Sequence, residues 1–206
     1  MSQHTTATTT IDSTTTSTVT TGAKLQGLPF GSSGDITTEL LWHLQNGLLY
    51  PKNHPYRIEP KVFMILIGTN DLGRMECSKR TTVAGIMSVL NYISTLYPTT
   101  PLIVHGLLPR SDTYNQGDYS LGRYWQDIQY INMELERICN TKRRSKLWYY
   151  MDAQHIFLIS NDTTDTTTDR PIMINETVMS DSLHPDVIGY NIWGQQIVQK
   201  VLQIIS

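Results

Sequence analysis

Val62-Phe63-Met64-Ile65-Leu66-Ile67-Gly68-Thr69-Asn70-Asp71 is the stretch whose reading decides the fold. The continuous apolar run is bounded by Pro60 and Gly68 and shows no polar alternation, which predicts a strand buried on both faces of a parallel sheet. The polar Thr69-Asn70-Asp71 then stands at the C-terminal end of that strand, the edge where ligands bind in open α/β folds.

Downstream the pattern repeats. Ser78 suits the cap of a helix in which Val83, Ile86, Met87, Leu90 and Ile93 recur at spacings of three and four, before Pro98 stops it. Leu102-Ile103-Val104 reads as the next strand, Tyr124, Ile128, Ile131, Leu135 and Ile138 as an amphipathic helix, and Leu147-Trp148-Tyr149-Tyr150-Met151 as a further buried strand. Asn161 to Asp169 is a Thr/Asp-rich surface loop, followed by a short extended segment at Ile172-Met173-Ile174. Pro185 opens the last helix, with Val187, Tyr190, Ile197, Val201 and Leu202 as its buried face. Upstream, Asp35 suits the cap of a short helix bearing Leu40, Leu41 and Leu44 on one face, and Gly47 the left-handed residue beyond its end. Alternating strands and helices make the class α/β with a parallel sheet.

The 206 residues suit one domain, and 39% hydrophobic residues suffice for its core. A net charge of −2 with both signs interspersed favours a small, roughly neutral ligand over nucleic acid or an anionic membrane surface. No apolar stretch is long enough for a membrane-spanning helix, and no basic-then-apolar signal opens the chain, so the compartment stays open. The sequons at Asn161 and Asn175 bear on it only if the protein is secreted. Cys77 and Cys139 lack metal or redox spacing and pair only if the fold brings them together. Residues 1–23 are dominated by threonine and read as a disordered leader, an edge strand being the competing reading; residues 24–206 form the folded domain.

Three short motifs carry chemistry. Asp181 precedes His184 by three residues in the turn before Pro185, so its carboxylate can fold back onto the imidazole, fix the tautomer and leave Nε2 to accept a proton. A capping Asp beside a surface His has the same spacing. Asn70 can donate its side-chain amide to an oxyanion, or cap the following turn. Gly34, in Phe30-Gly31-Ser32-Ser33-Gly34-Asp35, can offer a backbone N–H at the start of a helix, or simply make a turn. His43, His105 and His155 have no carboxylate at a suggestive spacing and read as structural. Arg110, Ser111, Asp112 and Tyr114 follow the Leu102 strand in a loop that can line a pocket, with Arg110 expected to pair with a nearby carboxylate. A nucleotide-binding domain is disfavoured, since neither G-x-G-x-x-G nor a Walker-type lysine loop is present.

Taken in order, Gly31-x-x-Gly34-Asp35 with Leu41-Trp42-x-Leu44-x-Asn46-Gly47, then Gly68-Thr69-Asn70, Gly106-Leu107-Leu108-Pro109-Arg110 and Asp181-x-x-His184-Pro185 resemble the SGNH (GDSL-type) hydrolases. The likeness runs over roughly residues 30–204 and is strongest to platelet-activating-factor acetylhydrolase catalytic subunits. It implies a three-layer α/β/α sandwich of flavodoxin-like strand order with the site at the C-terminal strand edge. Gly34 and Asn70 would be oxyanion donors, His184 the general base and Asp181 its orienter. The substrate would be a small-molecule carboxylic ester, thioester or acetylated sugar, with neither metal nor organic cofactor.

One block of the family's pattern, Gly-Asp-Ser after an apolar strand, is not matched. Asp12-Ser13-Thr14 imitates it weakly, with Ile11 for the glycine and threonines for the strand, so Ser13 is the nearest nucleophile candidate. Ser32 and Ser33 lie inside the oxyanion block itself. In the family's order the unmatched strand is central, and Leu25 to Phe30 is a poor second strand because it holds Gly27 and Pro29. The Val62 strand would then keep an unpaired apolar edge. The expectation is a serine ester hydrolase or an N-terminally truncated copy of one, as from a mispredicted first exon. The alternative is a catalytically inactive remnant that binds a small molecule.

Overall fold

The computed structural model describes residues 25–112, 117–160 and 172–206. The Thr-rich leader, Ser13, Tyr114 and the Asn161 to Asp169 loop lie outside the described residues. The chain divides into two units, residues 1–31 and 32–206. In the first, residues 25–31 carry no regular secondary structure, as a segment containing Gly27 and Pro29 predicts.

The second unit is built around a parallel sheet of β1 (Phe63–Ile65), β2 (Leu102–His105) and β3 (Trp148–Met151), in the order β1-β2-β3. Phe63 pairs with Leu102, and Leu102 in turn with Trp148. β2 is central and every residue in it is buried, whereas β1 is only half-buried. The expectation that the Val62 run is buried on both faces is met only in part, since β1 is half-buried, whereas the unpaired edge expected of this strand is present: among the described residues β1 has a partner on one side only.

Side chains alternate across the sheet and so define two cores. On one face Leu102, Val104 and Trp148 pack with Ile86, Leu90 and Ile93 of α3 (Lys79–Leu96) and with Ile128, Ile131 and Leu135 of α4 (Trp125–Lys146). Leu44, at the end of α1 (Thr37–His43), joins that layer. On the other face Ile103 and Met151 meet Phe157 of α5 (Gln154–Phe157) and Trp193 of α6 (Val187–Ile205). Helices on both faces of a parallel sheet make a three-layer α/β/α sandwich. A short antiparallel pair, β4 (Leu158–Ser160) with β5 (Ile172–Ile174), precedes the last helix, so the extended segment expected at Ile172 is a strand.

Helix ends follow local chemistry. Ser78 Oγ accepts from Thr81 N–H at 3.2 Å, as its cap position predicts. Around α1 the cap lies one residue later than expected: Glu39 reaches back to the N–H of Ile36 at 3.0 Å, while Asp35 turns towards His43. The helix closes through a π turn (Leu44–Leu48) in which Gly47 breaks the helical course at φ +118°. The last helix also starts later, at Val187, because Asp186 is its cap and accepts from Gly189 N–H at 2.9 Å. Its buried face is corrected too. Val187 and Tyr190 are exposed, and Gly189, Trp193, Ile197 and Val201 face the core. Both cysteines are free, Cys139 being buried. No helix among the described residues is long and apolar enough to cross a membrane.

Candidate active site

Asp181 and His184 sit in the tight loop before α6. His184 Nδ1 lies 2.7 Å from Asp181 Oδ2, while Asp181 Oδ1 accepts from the N–H groups of Leu183, at 2.9 Å, and His184, at 2.6 Å. A carboxylate only accepts, so Nδ1 carries the proton and proton transfer falls to Nε2. Burial is the largest influence on Asp181 and favours its protonated form. The hydrogen bonds from His184 and Leu183 outweigh it and hold the carboxyl below its usual range. Between the pair, Ser182 is fully buried at φ +65°, a left-handed conformation that only a well-held loop imposes on a side chain larger than glycine. The holding bonds are Ser182 N–H to Met179 O at 3.0 Å and Ser182 Oγ to Asp118 O at 2.7 Å.

Gly34 and Asn70 form a second group. Asp35 N–H donates to Ser32 O at 3.2 Å, closing a four-residue turn whose third residue, Gly34, has φ +82°. That conformation explains why glycine is needed there. Asn70 lies in α2 (Thr69–Gly73), directly beyond β1, and gives one Nδ2 hydrogen to Asp35 O at 3.1 Å. The amide carries a second hydrogen for another acceptor. The turn and the start of α1 are held to α2 and the residue that follows it by four further bonds. Asp71, buried, accepts from Thr37 N–H at 3.0 Å and from the Thr37 hydroxyl. Arg74 donates to Gly34 O at 2.7 Å and pairs with Glu39 at 2.9 Å. Thr37 in turn packs on Gly85 of α3, where any Cβ would collide with its hydroxyl.

Asn70 follows β1, and Arg110 and Ser111 follow β2, at the C-terminal edge of the sheet. Ser111 N–H donates to Ser182 O at 3.0 Å, and Arg110 Nη1 donates to Thr69 O at 3.0 Å, so the loop after β2 touches both groups. The expectation of a carboxylate partner for Arg110 is corrected: Asp112 instead accepts from Arg123 N–H at 2.8 Å, and the guanidinium bonds to Thr69. Among the described residues no serine hydroxyl is hydrogen-bonded to His184. Ser32 and Ser33 are exposed in the Gly34 turn, and Ser13 lies outside the described residues. No group of three His, Cys, Asp or Glu among the described residues is arranged to hold a metal ion. His43 does have a carboxylate near it, Asp35 at 3.7 Å, which its spacing did not suggest.

Sequence reasoning missed Asp71, Arg74 and Ser182 as groups that hold these residues in place, and read Arg110 as a pocket-lining residue paired with a carboxylate. Asp71 carried a signal, standing beside Asn70 at the strand end. The others act largely through backbone carbonyls, which no side-chain motif announces.

Comparisons with known proteins give the family and the fold. A model of the GDSL-like Lipase/Acylhydrolase family matches residues 15–197. The chain is 37% identical over 91 residues to platelet-activating factor acetylhydrolase IB subunit alpha2 of Homo sapiens, covering 44% of this chain and 36% of that protein. It is 33% identical over 91 residues to subunit alpha1 of Rattus norvegicus, covering 44% of this chain and 35% of that one. The match thus spans little more than a third of these relatives' length. Among solved structures, a GDSL-like lipase from Bacteroides thetaiotaomicron superposes with a TM-score of 0.61 at 16% identity, covering 83% of this chain and 73% of that one. A carbohydrate esterase family 3 protein from Talaromyces cellulolyticus gives 0.56 at 17% identity, covering 84% and 69%. With the matched family model running over most of its length and the same layered fold beneath it, this chain belongs to the GDSL-like lipase/acylhydrolase family, the SGNH hydrolases.

Proposed function

We propose that this chain carries the base and oxyanion-hole parts of a serine ester hydrolase that acts on a small-molecule ester, with residues 24–206 as the hydrolase-like domain. The observation that supports this most is that one loop, the one after β2, is bonded to both groups: an imidazole oriented by a carboxylate at 2.7 Å, and a side-chain amide fixed beside a left-handed glycine. In the proposed reaction a serine Oγ bonds to the acyl carbon while its proton passes to His184 Nε2. The oxyanion forms against Gly34 N–H and Asn70 Nδ2. The bond to the alkoxide leaving group then breaks as His184 returns the proton to it. Water, deprotonated by His184, attacks the acyl-enzyme, and the same proton restores the serine. Asp181 keeps the Nδ1 proton throughout. Acetyl esters are the first substrates to try, because the alpha subunits above are named acetylhydrolases and a fold neighbour is a carbohydrate esterase.

The second reading is a small-molecule-binding remnant without turnover, which the unmatched Gly-Asp-Ser block favours. A fluorophosphonate probe followed by peptide mapping separates the two. Labelling of one serine, Ser13 being the candidate in this chain, with turnover of p-nitrophenyl acetate that disappears in His184→Ala, supports the hydrolase. Folded chain that neither labels nor turns over leaves the binding protein. Turnover that survives His184→Ala removes His184 from the role of base.

A further inference from the structure

We propose that the Arg110–Ser111 segment is a positioning strut that holds Asn70 and the Asp181–His184 loop in a single frame. Its functional consequence rests on the hydrolase reading; its structural content does not.

Arg110 is 6% exposed and, among the described residues, its guanidinium has no carboxylate partner. Asp112 favours the charged form only from a distance, and a buried cation with no directly paired carboxylate is costly, so an apolar side chain of similar volume would ordinarily be the more stable choice. What this cation has instead is a grip on α2. Nη1 donates to the carbonyl of Thr69 at 3.0 Å and lies 3.4 Å from its hydroxyl, at the start of the helix. At the helix end the guanidinium lies so close to Gly73 that a Cβ there would collide with it. Asn70 lies between these two contacts. The other flank of the guanidinium rests on the ring of Tyr124, 5.2 Å from its centroid.

The next residue holds the other half. Ser111 is fully buried and its N–H donates to Ser182 O at 3.0 Å. Ser182 is the left-handed residue directly after Asp181, so this bond fixes the backbone on which the carboxylate and the imidazole depend. Gly122 N–H, 3.4 Å from Arg110 O, ties the strut to the start of α4. One side chain and one adjacent backbone amide thus join two parts of the site that are far apart in sequence. Chemistry at an acyl carbon needs the base and the oxyanion donors placed within a fraction of an ångström of each other.

The test uses the full chain with Arg110→Met, Arg110→Lys and Gly73→Ala, the last of which displaces the guanidinium while keeping its charge. Two readouts are taken: the side-chain amide signals of Asn70 and the imidazole signals of His184 by NMR, and kcat and KM for p-nitrophenyl acetate. In folded Arg110→Met and Gly73→Ala we expect both sets of signals to move and kcat to fall about 10- to 100-fold with KM nearly unchanged. Arg110→Lys, which can still donate to Thr69 O, should lie in between. Movement at Asn70 with His184 unchanged in both variants would overturn the strut, since the segment would then serve α2 alone. If Arg110→Met fails to fold, Gly73→Ala decides by the same criterion. If the parent chain shows no turnover, the hydrolase reading is what has failed, and the NMR signals still decide the strut.

Discussion

Asp181 divides its work between two oxygens, one for the backbone and one for the imidazole, and this division sets what a substitution does. In Asp181→Asn the amide oxygen can keep the bonds from Leu183 and His184 N–H, which places Nδ2 against the imidazole. An amide N–H facing Nδ1 forces the proton onto Nε2, the wrong tautomer for a base. The expected outcome is a fall in kcat of ~10⁴-fold with the protein still folded, read from initial rates together with circular dichroism. The sign of the pH effect follows from the lowered Asp181 pKa. The charged carboxylate's contribution is complete above the usual carboxylate range and is lost only as pH falls through that lowered value. Asn70→Leu keeps the volume and removes the donor, and should cost ~3 kcal/mol of transition-state stabilisation, about 100-fold in kcat with little change in KM. At this scale the Asp-x-x-His pair was legible because three residues close a local loop whatever the fold. The contact of Asn70 with Asp35 O was not, since it depends on how the turn before α1 docks on α2.

Elements whose apolar residues recur on one face came out as read. α3 buries Ile86, Leu90 and Ile93 and starts at its Ser78 cap. α6 did not, because Val187, Ile188, Tyr190, Ile192 and Trp193 are apolar almost all the way round its first turns, and periodicity then selects no face. A close approach decides instead: Gly189 lies against Val178 O, and a Cβ there would collide with that carbonyl. Gly189→Ala should therefore destabilise by about 1–3 kcal/mol even though alanine is the better helix former. Val187→Ser, at a position that is 77% exposed, should stay within about 0.5 kcal/mol. Urea denaturation of the two variants checks the assignment of the buried face. Equal costs would mean that α6 is rotated from the orientation described. The Val62 strand was read correctly as parallel sheet, but its half-exposure was not visible in the run itself. Edge or centre depends on which other strand is present, and no residue in the run encodes that.

Across the molecule the α6 layer is held to the sheet through a buried polar contact inside an apolar core. His105, on β2 and 1% exposed, accepts from Trp193 Nε1–H of α6 at 2.9 Å through Nε2, and its Nδ1 lies 2.6 Å from Gly106 O. An indole N–H only donates, so Nε2 is unprotonated and Nδ1 carries the hydrogen. Burial is the largest influence and lowers the His105 pKa from its ordinary 6.5, against the opposing pull of the Gly106 carbonyl and Asp152. The folded state therefore binds this proton less readily than the unfolded chain. The stability it represents is complete above about pH 6.5 and is lost as pH falls through the lowered value. Protonation would also set an N–H at Nε2 against the indole N–H, and so loosen the helix whose first turn carries the His184 loop. Thermal unfolding between pH 7.5 and 5 should show the parent protein losing Tm more steeply than His105→Phe. That variant should begin lower at pH 7.5, by about 1–3 kcal/mol, because Trp193 is left without an acceptor. Parallel slopes for the two proteins would mean that His105 does not carry the acid sensitivity of the α6 layer.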